Sequence, residues 1–493
     1  MKITKIATSV IALGAIWLGG TAYISSNTQS SLEAYVEKSN ALYQQNGMHL
    51  SVNSFKKGFL ESEAEVSIDF TDPLIKKQLS DFLKLPLEMK YKIENGPLLL
   101  KDGVALGASR IKSTVNISDY LVDTVGIKKY VKEDIILTST STISFLKNNK
   151  FHGETNPIVA DIEGDVFRIS PLKIEGDVNI ETFVGDIKVL IESIEAKVNK
   201  KSKGTLNVSG ISLDGTIKKL FENGFYLGDF DFKLNDINFK GDDVAFELKH
   251  AQALMNLAID ENQDKSINMH LAVDGTVGDS KLPKELAFLK KIHFAYLFEN
   301  MELKGLLKFQ DFSKALQEKQ QAVFLKLSSA KTMEEQMKAM EELQALQVEM
   351  QNDMLKLFVG LIHEDKTTFG MEASVNDVQD KESEIKAKVG YVGKEPLSTD
   401  LKVLQAKFKK ELLSLITLDL NLNLHESLLE SLPPAMQADI QQKLQMLSIS
   451  GMLKHENKTY TFDANYVPKK LMVNGVDKSD MLILLEMGLQ QAQ

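Results

Sequence analysis

The stretch from Ile6 to Ile24 constrains this chain more than any other. It runs for nineteen residues without a charge, directly after Lys2 and Lys5, and no second stretch of this kind follows. A helix of this length, rising about 1.5 Å per residue, nearly crosses a hydrocarbon core ~30 Å thick. Lysine and arginine stay on the cytoplasmic side of a membrane. The sequence therefore predicts an N-terminal transmembrane helix with the bulk of the chain outside, which in a bacterium is the periplasm.

A cleaved secretory signal is the alternative to a retained anchor, with Gly20 and Ala22 as the small residues before the cut. The uncharged run is longer than the apolar region of most signals, and Trp17 and Tyr23 are placed to anchor a helix at the outer interface. These features favour a retained anchor, and both readings place the protein in the same compartment. Because the chain has no cysteine, it has no lipoprotein attachment site, no disulfide and no thiolate nucleophile.

Composition indicates a folded, acidic protein without a nucleic-acid partner. Of the 493 residues, 43% are hydrophobic and 26% are charged, as in ordinary globular proteins. This length suggests about three units. The formal net charge of −10 argues against nucleic acid and against docking on anionic lipid through a polybasic patch, because both need a basic face.

After the apolar run the chain begins with a helix, a strand and a second helix. Apolar residues recur at helical spacing from Leu32 to Tyr43, which predicts a short amphipathic stalk that leads away from the membrane and ends before Gly47. Alternation from Ala64 to Phe70 predicts a strand with one wet face. Asp72-Pro73 then combines a helix cap with a proline at the first helical position.

Three short motifs resemble a known family. Ser54–Ala64 combines an aromatic residue, two lysines, a Gly-aromatic pair and Ser-x-Ala, Ile93–Leu98 carries a Gly-Pro turn, and Met472–Gly475 looks like a closing strand and turn. In this order, and behind an anchor, they resemble the YdgA-like family of bacterial envelope proteins of unknown function. Asn95 stands where that pattern leads us to expect histidine. The resemblance implies a single-pass inner-membrane anchor and a periplasmic domain, and it brings no catalytic residues.

The chain from about Arg110 to Leu307 has mostly strand patterns. The pentapeptide Ile162–Val166 returns as Ile174–Val178 twelve residues later, a spacing of strand and turn that suits an antiparallel meander. Leu213–Ile217 and Val273–Val277 form a second related pair. Regular alternation of apolar and polar residues predicts an antiparallel sheet with one apolar face, because parallel strands covered on both faces are continuously apolar.

A Met-rich helical segment interrupts the strands. The stretch from Phe312 to Ile362 has one glycine and no proline, with a break at Ser328-Ser329 and a cap at Thr332. Its apolar residues recur every 3.5 residues on average, as in a packed helix seam: Met333, Met337, Met340, Leu343, Leu346, Met350, Met354, Leu357 and Leu361. A helix hairpin lying on the apolar face of the sheet is the favoured interpretation. The alternatives are a coiled coil that joins copies of the chain and an adaptable Met-rich binding surface.

Beyond Gly360 the strand patterns resume and alternate with helical ones. Strands are predicted over 369–375, 385–391 and 418–424, and helices over 401–415, 434–447 and, closing the chain, 480–489. The chain therefore divides into an anchor or signal over 1–27, a strand-rich region over 28–310, the Met-rich helical segment over 311–365, and a second strand-rich region over 366–493. The fold class is α+β, an extended antiparallel sheet with helices packed on one face.

Motifs that carry chemistry are weak in this sequence. His425-Glu426 begins like a zinc-protease helix, but Leu429 occupies the place of the second ligand, which favours a solvated strand end. His250 and His270 lie on predicted strands and could meet across a sheet, although a metal needs three or more converging ligands. We therefore assign no metal ligand.

The spacing of Asp260, Asn262 and Asp264 is that of an opening calcium loop. Lys265 replaces the glycine of the sharp turn and Leu271 replaces the bidentate glutamate, so a polar hairpin loop is the better prediction. No nucleophile elbow and no phosphate-binding loop occurs. The chain contains 68 acidic residues, and nothing singles out one catalytic pair among them.

The leading functional hypothesis is therefore a non-enzymatic structural or binding role in the cell envelope. The partner would be lipid or another envelope protein, because a long apolar sheet face must be covered by helices, a partner or acyl chains. The alternatives are a hydrolase that acts on envelope glycans through a carboxylate pair, and a scaffold that self-associates through the Met-rich helices. No catalytic residue, cofactor or metal is assigned, and the membrane is contacted through residues 6–24.

Overall fold

The computed structural model describes residues 28–43, 47–58, 61–95, 98–122, 130–199, 203–242, 244–330, 332–432 and 434–483. The predicted transmembrane run over 6–24 lies outside these residues. Of the predicted closing helix, residues 481–483 are helical and 484–489 lie outside the described part. Among the helices that the structure describes, none is both long enough and apolar enough to cross a bilayer.

The described residues form seven α-helices and twenty-four strands. The helices are α1 Thr28–Tyr43, α2 Pro73–Ser80, α3 Leu303–Ser329, α4 Met333–Gly360, α5 Leu401–Leu415, α6 Glu426–Glu430 and α7 Pro434–Ile449. The first strands are β1 Met48–Lys56, β2 Glu61–Phe70, β3 Leu87–Asn95, β4 Leu98–Leu99, β5 Ala105–Leu106, β6 Ser109–Asn116, β7 Ile136–Ile143, β8 Asn148–Thr155, β9 Ile158–Ile162, β10 Asp165–Ile169, β11 Leu172–Asn179, β12 Gly185–Val198 and β13 Gly204–Leu220.

The remaining strands are β14 Tyr226–Gly241, β15 Glu247–Glu261, β16 Ile267–Thr276, β17 Leu289–Met301, β18 Thr368–Asp377, β19 Glu382–Tyr391, β20 Ile416–His425, β21 Lys454–Glu456, β22 Thr459–Val467, β23 Lys470–Val473 and β24 Val476–Asp477. Short 3-10 helices cover Ile117–Tyr120 and Lys284–Leu286. The predicted α+β class, dominated by antiparallel strands, is confirmed.

The chain divides into two compact units. The first contains the described residues up to Phe232 together with Lys314–Gln344, and the second contains Lys233–Ser313 together with the residues from Ala345 onward. Strand β14 and helices α3 and α4 therefore contribute residues to both.

In the first unit, β1, β2, β3, β6, β7, β8, β11, β12 and β13 pair in that order, each antiparallel to the next. The predicted strand over 64–70 is confirmed as part of β2. The predicted cap is also confirmed, since the Asp72 carboxylate accepts a hydrogen bond from the Ile75 amide at 3.1 Å.

Helix α1 is the centre of the first unit's core. Its Leu32 and Val36 are buried in one cluster with Leu50, Val66 and Ile93 of the sheet. The amphipathic helix was predicted correctly, but the sequence did not predict that it packs on the sheet. Its apolar stripe packs on the apolar face of the adjoining sheet, because burial there removes both surfaces from water.

In the second unit, β15, β16, β17, β18, β19, β20, β22, β23 and β24 pair in that order, again antiparallel throughout. Strand β21 pairs with β22. Strands 369–375, 385–391 and 418–424 and helices 401–415 and 434–447 all form where the sequence predicts them.

The two copies of the first repeated pentapeptide adopt different structures. Ile162–Val166 forms the tight turn between β9 and β10, with positive φ at Glu163 and Gly164, whereas Ile174–Val178 lies inside β11. In the other pair, a Cβ on Gly215 would lie 2.6 Å from the Phe230 ring, and one on Gly275 would lie 2.9 Å from Ile292. Both of those glycines leave room for an apolar side chain on the neighbouring strand.

The break between the two long helices is confirmed. Helix α3 ends at Ser329 and α4 begins at Met333. The Thr332 hydroxyl accepts from the Glu335 amide at 3.2 Å, while the Glu335 carboxylate accepts from the Thr332 amide at 3.1 Å. This reciprocal pair is a capping box.

Candidate functional site

The histidine pair considered in the sequence is not brought together. The register that pairs Glu261 with Ile267 places His270 opposite Ala258, eight positions along β15 from His250. The His250 Nδ1 atom lies 3.1 Å from the Asp236 carboxylate instead. The idea of a shared site for the two histidines is therefore wrong, because strand register decides which side chains are neighbours.

The loop with calcium-like spacing is a polar hairpin, as predicted. It joins β15 to β16, and the amide of Asn262 donates to Asn268 and Asn300, each at 3.1 Å. The Asp264 carboxylate accepts from Ser266 and pairs with Lys366 at 2.5 Å. The Lys366 ammonium, followed by the Ser266 hydroxyl and amide, holds the pKa of the Asp264 carboxyl well below its ordinary value. In the described part of the chain, no group of three or more His, Asp or Glu side chains is placed to hold a metal ion.

One polar cluster was not predicted from the sequence. His425 ends β20, as predicted, and its Nδ1 atom lies 2.6 Å from the hydroxyl of Ser427, which in turn donates to the buried carboxylate of Asp377. Only the spacing of His425 and Ser427 was visible in the sequence, because Asp377 is fifty residues distant.

These three residue types are those of a hydrolase triad, but their order differs. In a triad the imidazole stands between the hydroxyl and the carboxylate, so that it can take the hydroxyl proton. Here the hydroxyl of Ser427 stands in the middle and donates a hydrogen bond to the Asp377 carboxylate. Burial raises the pKa of the Asp377 carboxyl, but hydrogen bonds from Ser427 and from the Lys381 and Gln379 amides outweigh it and leave the pKa lowered. The cluster is a clamp between two strand ends.

Carboxylates of the first unit gather on the polar face of β11 to β14. They line an open cleft together with Lys150, His152 and Lys188: Glu175, Asp177, Asp186, Asp214, Asp229 and Asp231. Several are paired, as in Lys188–Asp214 at 3.6 Å and Lys218–Asp229 at 2.7 Å. A glycosidase acid needs a raised pKa. The shifts found among described carboxyl groups are all downward, at Asp102, Asp264, Glu299, Asp377 and Asp477.

An apolar surface lies in the second unit. One face of β16 to β20, called here the apolar face, consists of Met269, Leu271, Val273, Ile292, Phe294, Tyr296, Phe298, Phe369, Met371, Ala373, Val375, Ile385, Ala387, Val389, Leu418, Leu420 and Leu422. Their register brings them into rows across the sheet, and one row runs through Leu271, Tyr296, Met371, Ala387 and Leu420.

None of the side chains of the apolar face is buried, although the structure describes all of them. The most exposed are Ile292 at 43%, Tyr296 at 40%, and Val273 and Val389 at 38% each. Large apolar residues in the middle of central strands are ordinarily buried. The apolar face is therefore a continuous, partly exposed surface.

An aromatic run stiffens this face. The Phe294 and Tyr296 rings meet edge to face with centroids 4.6 Å apart, and Phe298 meets Phe369 in the same way at 5.7 Å. The Phe358 ring of α4 stacks on Phe369 at 5.0 Å. Such pairs each stabilise their geometry by roughly 1 kcal/mol. The surface is therefore preformed.

Where the structure describes the chain, helices cover the margins of the apolar face. Leu404 of α5 is buried with Tyr391, the last residue of β19, and with Leu415, the last residue of α5. Leu444 of α7 is buried with Leu453, and Leu422 packs against that cluster. The sequence predicted helices on this face, but it did not predict that the described helices leave its middle uncovered.

The opposite face of the same strands is polar. The Lys388 ammonium lies 2.6 Å from the Glu299 carboxylate, and Lys386 lies 2.5 Å from Glu384. The Lys388 ammonium and then the Thr368 hydroxyl hold the pKa of the Glu299 carboxyl below its ordinary value. The predicted sheet with one apolar and one wet face is confirmed, and the two faces differ in what they can bind.

The Met-rich helix α4 is only partly packed. Leu346 is 8% exposed and Ala339 is 3% exposed, whereas Met333, Met337 and Met340 are exposed to 78%, 60% and 51%. Of the predicted seam, Leu346 and Leu361 are buried, whereas Met354 is 41% exposed like the methionines of the first turns. A 3.5-residue repeat identifies one stripe of a helix but not what covers it.

The family model for a bacterial protein of unknown function, DUF945, matches residues 1–479. No curated protein and no solved structure matches the chain. The chain belongs to the DUF945 family.

Proposed function

We propose that this DUF945-family member is a non-enzymatic binding protein of the cell envelope that holds the acyl chains of lipid on the apolar face of its second unit. The observation that carries the proposal is the row of mid-strand side chains in β16 to β20, none of which is buried. Apolar surface of this kind costs about 25 cal/mol for each Å² left in water. An exposed, contiguous apolar surface on a folded protein indicates a binding site.

The chemistry of the apolar face favours a ligand without charge. Its side chains are aliphatic or aromatic, and the hydroxyl of Tyr296 is the one polar group among them. Five strands spaced about 4.8 Å apart span about 19 Å across the sheet. One leaflet of a bilayer contributes about half of a ~30 Å hydrocarbon core. The face is therefore long enough for extended acyl chains, and its lack of charge would exclude a peptide rich in polar groups.

The envelope location rests on the sequence. The uncharged run over 6–24 follows two lysines, so a retained anchor would place both units in the periplasm. The resemblance to YdgA-like envelope proteins supports the same inner-membrane, single-pass placement. A protein tethered there has acyl chains within reach, which is what a lipid-binding role requires.

Photocrosslinking of the full chain in nanodiscs tests the proposal. A phospholipid with a diazirine on its acyl chain is expected to label peptides of β17 to β20. Met371→Glu and Leu420→Glu place a charge on the apolar face, and labelling is expected to fall by roughly tenfold or more, because burying an unpaired charge costs several kcal/mol.

The matched control is Asn421→Glu, which places the same charge at the next position of β20, on the polar face. Its labelling is expected to equal that of the unmodified chain. Equal labelling of both faces, or equal labelling of the Leu420→Glu and Asn421→Glu chains, would refute the proposal.

A second candidate function is self-association through α4. The exposure of Met333, Met337 and Met340, on consecutive turns of one helix face, favours it. Flexible thioether side chains adapt to many partners, including a second copy of the same helix. No comparable observation favours the glycan hydrolase.

A further inference from the structure

The first unit has one sheet end that is defined by register. Ser109 pairs with Asn95 and with Ile143, Ile143 pairs with Asn149, and Val178 pairs with Gly185. These pairs lie at the same end of β3, β6, β7, β8, β11 and β12. We call it the anchor-side end. The opposite end holds the starts of β1 and β3 and the segment between Phe70 and Leu87.

The N-terminus of helix α1 points toward the anchor-side end. Near its C-terminus, the Asn40 side chain exchanges two hydrogen bonds with Leu50, close to the start of β1. Further toward its N-terminus, Tyr35 packs on Phe183 with ring centroids 6.2 Å apart. Phe183 belongs to the turn between β11 and β12, at the anchor-side end. The helix therefore starts on that side of the unit.

The chain enters α1 from the uncharged run. Only residues 25–27 separate Ile24 from Thr28, the first residue of α1. Four extended residues reach at most about 14 Å. If the run over 6–24 spans a bilayer, as the proposed function requires, the anchor-side end lies next to the membrane surface.

Two apolar tips project at this same end. Phe145 and Leu146 form the turn between β7 and β8 and are 59% and 80% exposed. Leu100 and Val104 belong to the hairpin of β4 and β5 and are 60% and 79% exposed. Exposed large apolar residues at the tips of adjacent turns are costly in water.

Both tips are held in place by polar contacts. At the first, the Ile180 amide donates to the Lys147 carbonyl at 2.9 Å, and Lys147 pairs with Glu181 at 3.3 Å. At the second, the Glu94 carboxylate accepts from the Leu100 and Lys101 amides at 2.6 and 3.1 Å. The tips are therefore fixed features of the sheet end.

The charges around the second tip are neutralised in pairs. Lys101 pairs with Glu61, and Lys112 lies 2.6 Å from the Asp102 carboxylate. The nearly buried Arg110 guanidinium lies 3.6 Å from Glu94. A site for an anionic partner would present unpaired cations, so these pairs favour an apolar medium over an ionic one.

We infer that the anchor-side end of the first unit sits on the bilayer, with Leu100, Val104, Phe145 and Leu146 inserted into its interfacial layer. The anchor and the two tips would then give three attachment points and hold the unit in one orientation. This inference rests on the anchoring part of the proposed function and is independent of acyl-chain binding in the second unit.

Site-directed spin labelling of the full chain tests the inference. Because the chain has no cysteine, Leu146→Cys and Val104→Cys each give a single labelling site. The labelled chains are placed in phosphatidylcholine–phosphatidylglycerol vesicles. The collision rate of both labels with a water-soluble nickel chelate is expected to be roughly tenfold lower than that of a label in water, because polar solutes are excluded from hydrocarbon. Accessibility to oxygen should rise at the same positions.

Phe82→Cys is the matched control. Phe82 is apolar and 48% exposed, but it lies in the segment at the opposite end of the same unit. Its label should remain accessible to the chelate. A chain that floats with the vesicles while its labels at 104 and 146 behave like the label at 82 would overturn this inference alone. A chain that fails to float would overturn the anchoring as well.

Discussion

The two units use the same kind of sheet and cover it differently. In the first, α1 lies on the apolar face, and fourteen described residues of the helix and sheet are buried in one cluster. In the second, seventeen side chains form the apolar face of β16 to β20 and none of them is buried. Alternation of apolar and polar residues therefore determines that a sheet has an apolar face. Whether that face becomes a buried core depends on a helix that packs across it.

The difference has a local cause. Helix α1 precedes β1 in the chain, and its Leu32 and Val36 face the sheet over two consecutive turns. In the second unit, α5 and α7 follow β19 and β20 and bury Leu404 and Leu444 at the margins. Short connections keep a helix near the strand ends that it joins. The middle of the apolar face lies beyond their reach.

The largest expected effect comes from matched isoleucines in central strands of the two units. Ile93 of β3 is 1% exposed and Ile292 of β17 is 43% exposed. Ile93→Ala is expected to lower the free energy of unfolding by about 3–4 kcal/mol, because it leaves a cavity. Ile292→Ala should lower it by only about 1 kcal/mol, because much of that side chain is already in water.

Native-state hydrogen exchange, followed by mass spectrometry on peptides of β3 and β17, measures the two losses separately. The same substitution in the same type of strand cancels differences in strand propensity. Equal losses would mean that the apolar face is covered in the folded protein, and they would remove the basis of the proposed lipid site together with the contrast between the units.

If the apolar face contributes little to stability, polar contacts at the strand ends must hold the second unit together. The Asp377 carboxylate at the end of β18 accepts from the Gln379 and Lys381 amides at 2.8 Å each and from the Ser427 hydroxyl. Asp377→Ala is expected to lower the free energy of unfolding by about 2 kcal/mol, since it removes three hydrogen bonds and leaves partly buried donors without that partner. Exchange of peptides from β18 and α6 reports the loss.

The pH dependence follows from the lowered pKa of Asp377. A carboxyl group whose pKa is lower in the folded state contributes its full stabilisation above the unfolded value of about 3.9. That contribution is lost as the pH falls through the lower folded value. Asp377→Asn keeps a carbonyl acceptor without the charge. The stability difference between the two chains should therefore shrink on acidification, and a difference that grows would contradict the assignment.

Much of the fold could be predicted because its determinants are local. The cap at Asp72, the capping box at Thr332 and the alternation in β2 each depend on residues a few positions apart. Local hydrogen bonds and side-chain period are visible in sequence. The antiparallel, one-sided sheets follow from the same period.

Features that depend on distant neighbours were missed. The pattern of α1 shows that it packs on something, but not that its own sheet is that partner. The identical Glu-Gly-Asp of Ile162–Val166 and Ile174–Val178 turns in one copy and stays extended in the other, because the second is paired on both sides by β8 and β12. The clamp of Asp377, His425 and Ser427 joins the ends of β18 and β20 to the first turn of α6. Such contacts are set by topology, which a single sequence does not show.

The smallest expected effect concerns the exposed turns of α4, where the first unit resembles the second in leaving apolar side chains open. Met340 is 51% exposed and its neighbour Ala339 is 3% exposed. Met340→Glu is expected to change the free energy of unfolding by less than about 0.5 kcal/mol, because both residues are good helix formers and the site is open. Ala339→Glu is the control and should destabilise the unit by several-fold more, because it buries a charge.

Sedimentation velocity of the full chain in nanodiscs then shows whether the exposed methionines of α4 join two copies of the chain. The number of copies in each nanodisc is the quantity measured. If Met333, Met337 and Met340 join two copies, Met340→Glu gives single copies with unchanged exchange in α4. A chain that stays associated after Met340→Glu removes self-association through this stripe, and α4 then contributes to the protein only through its buried side.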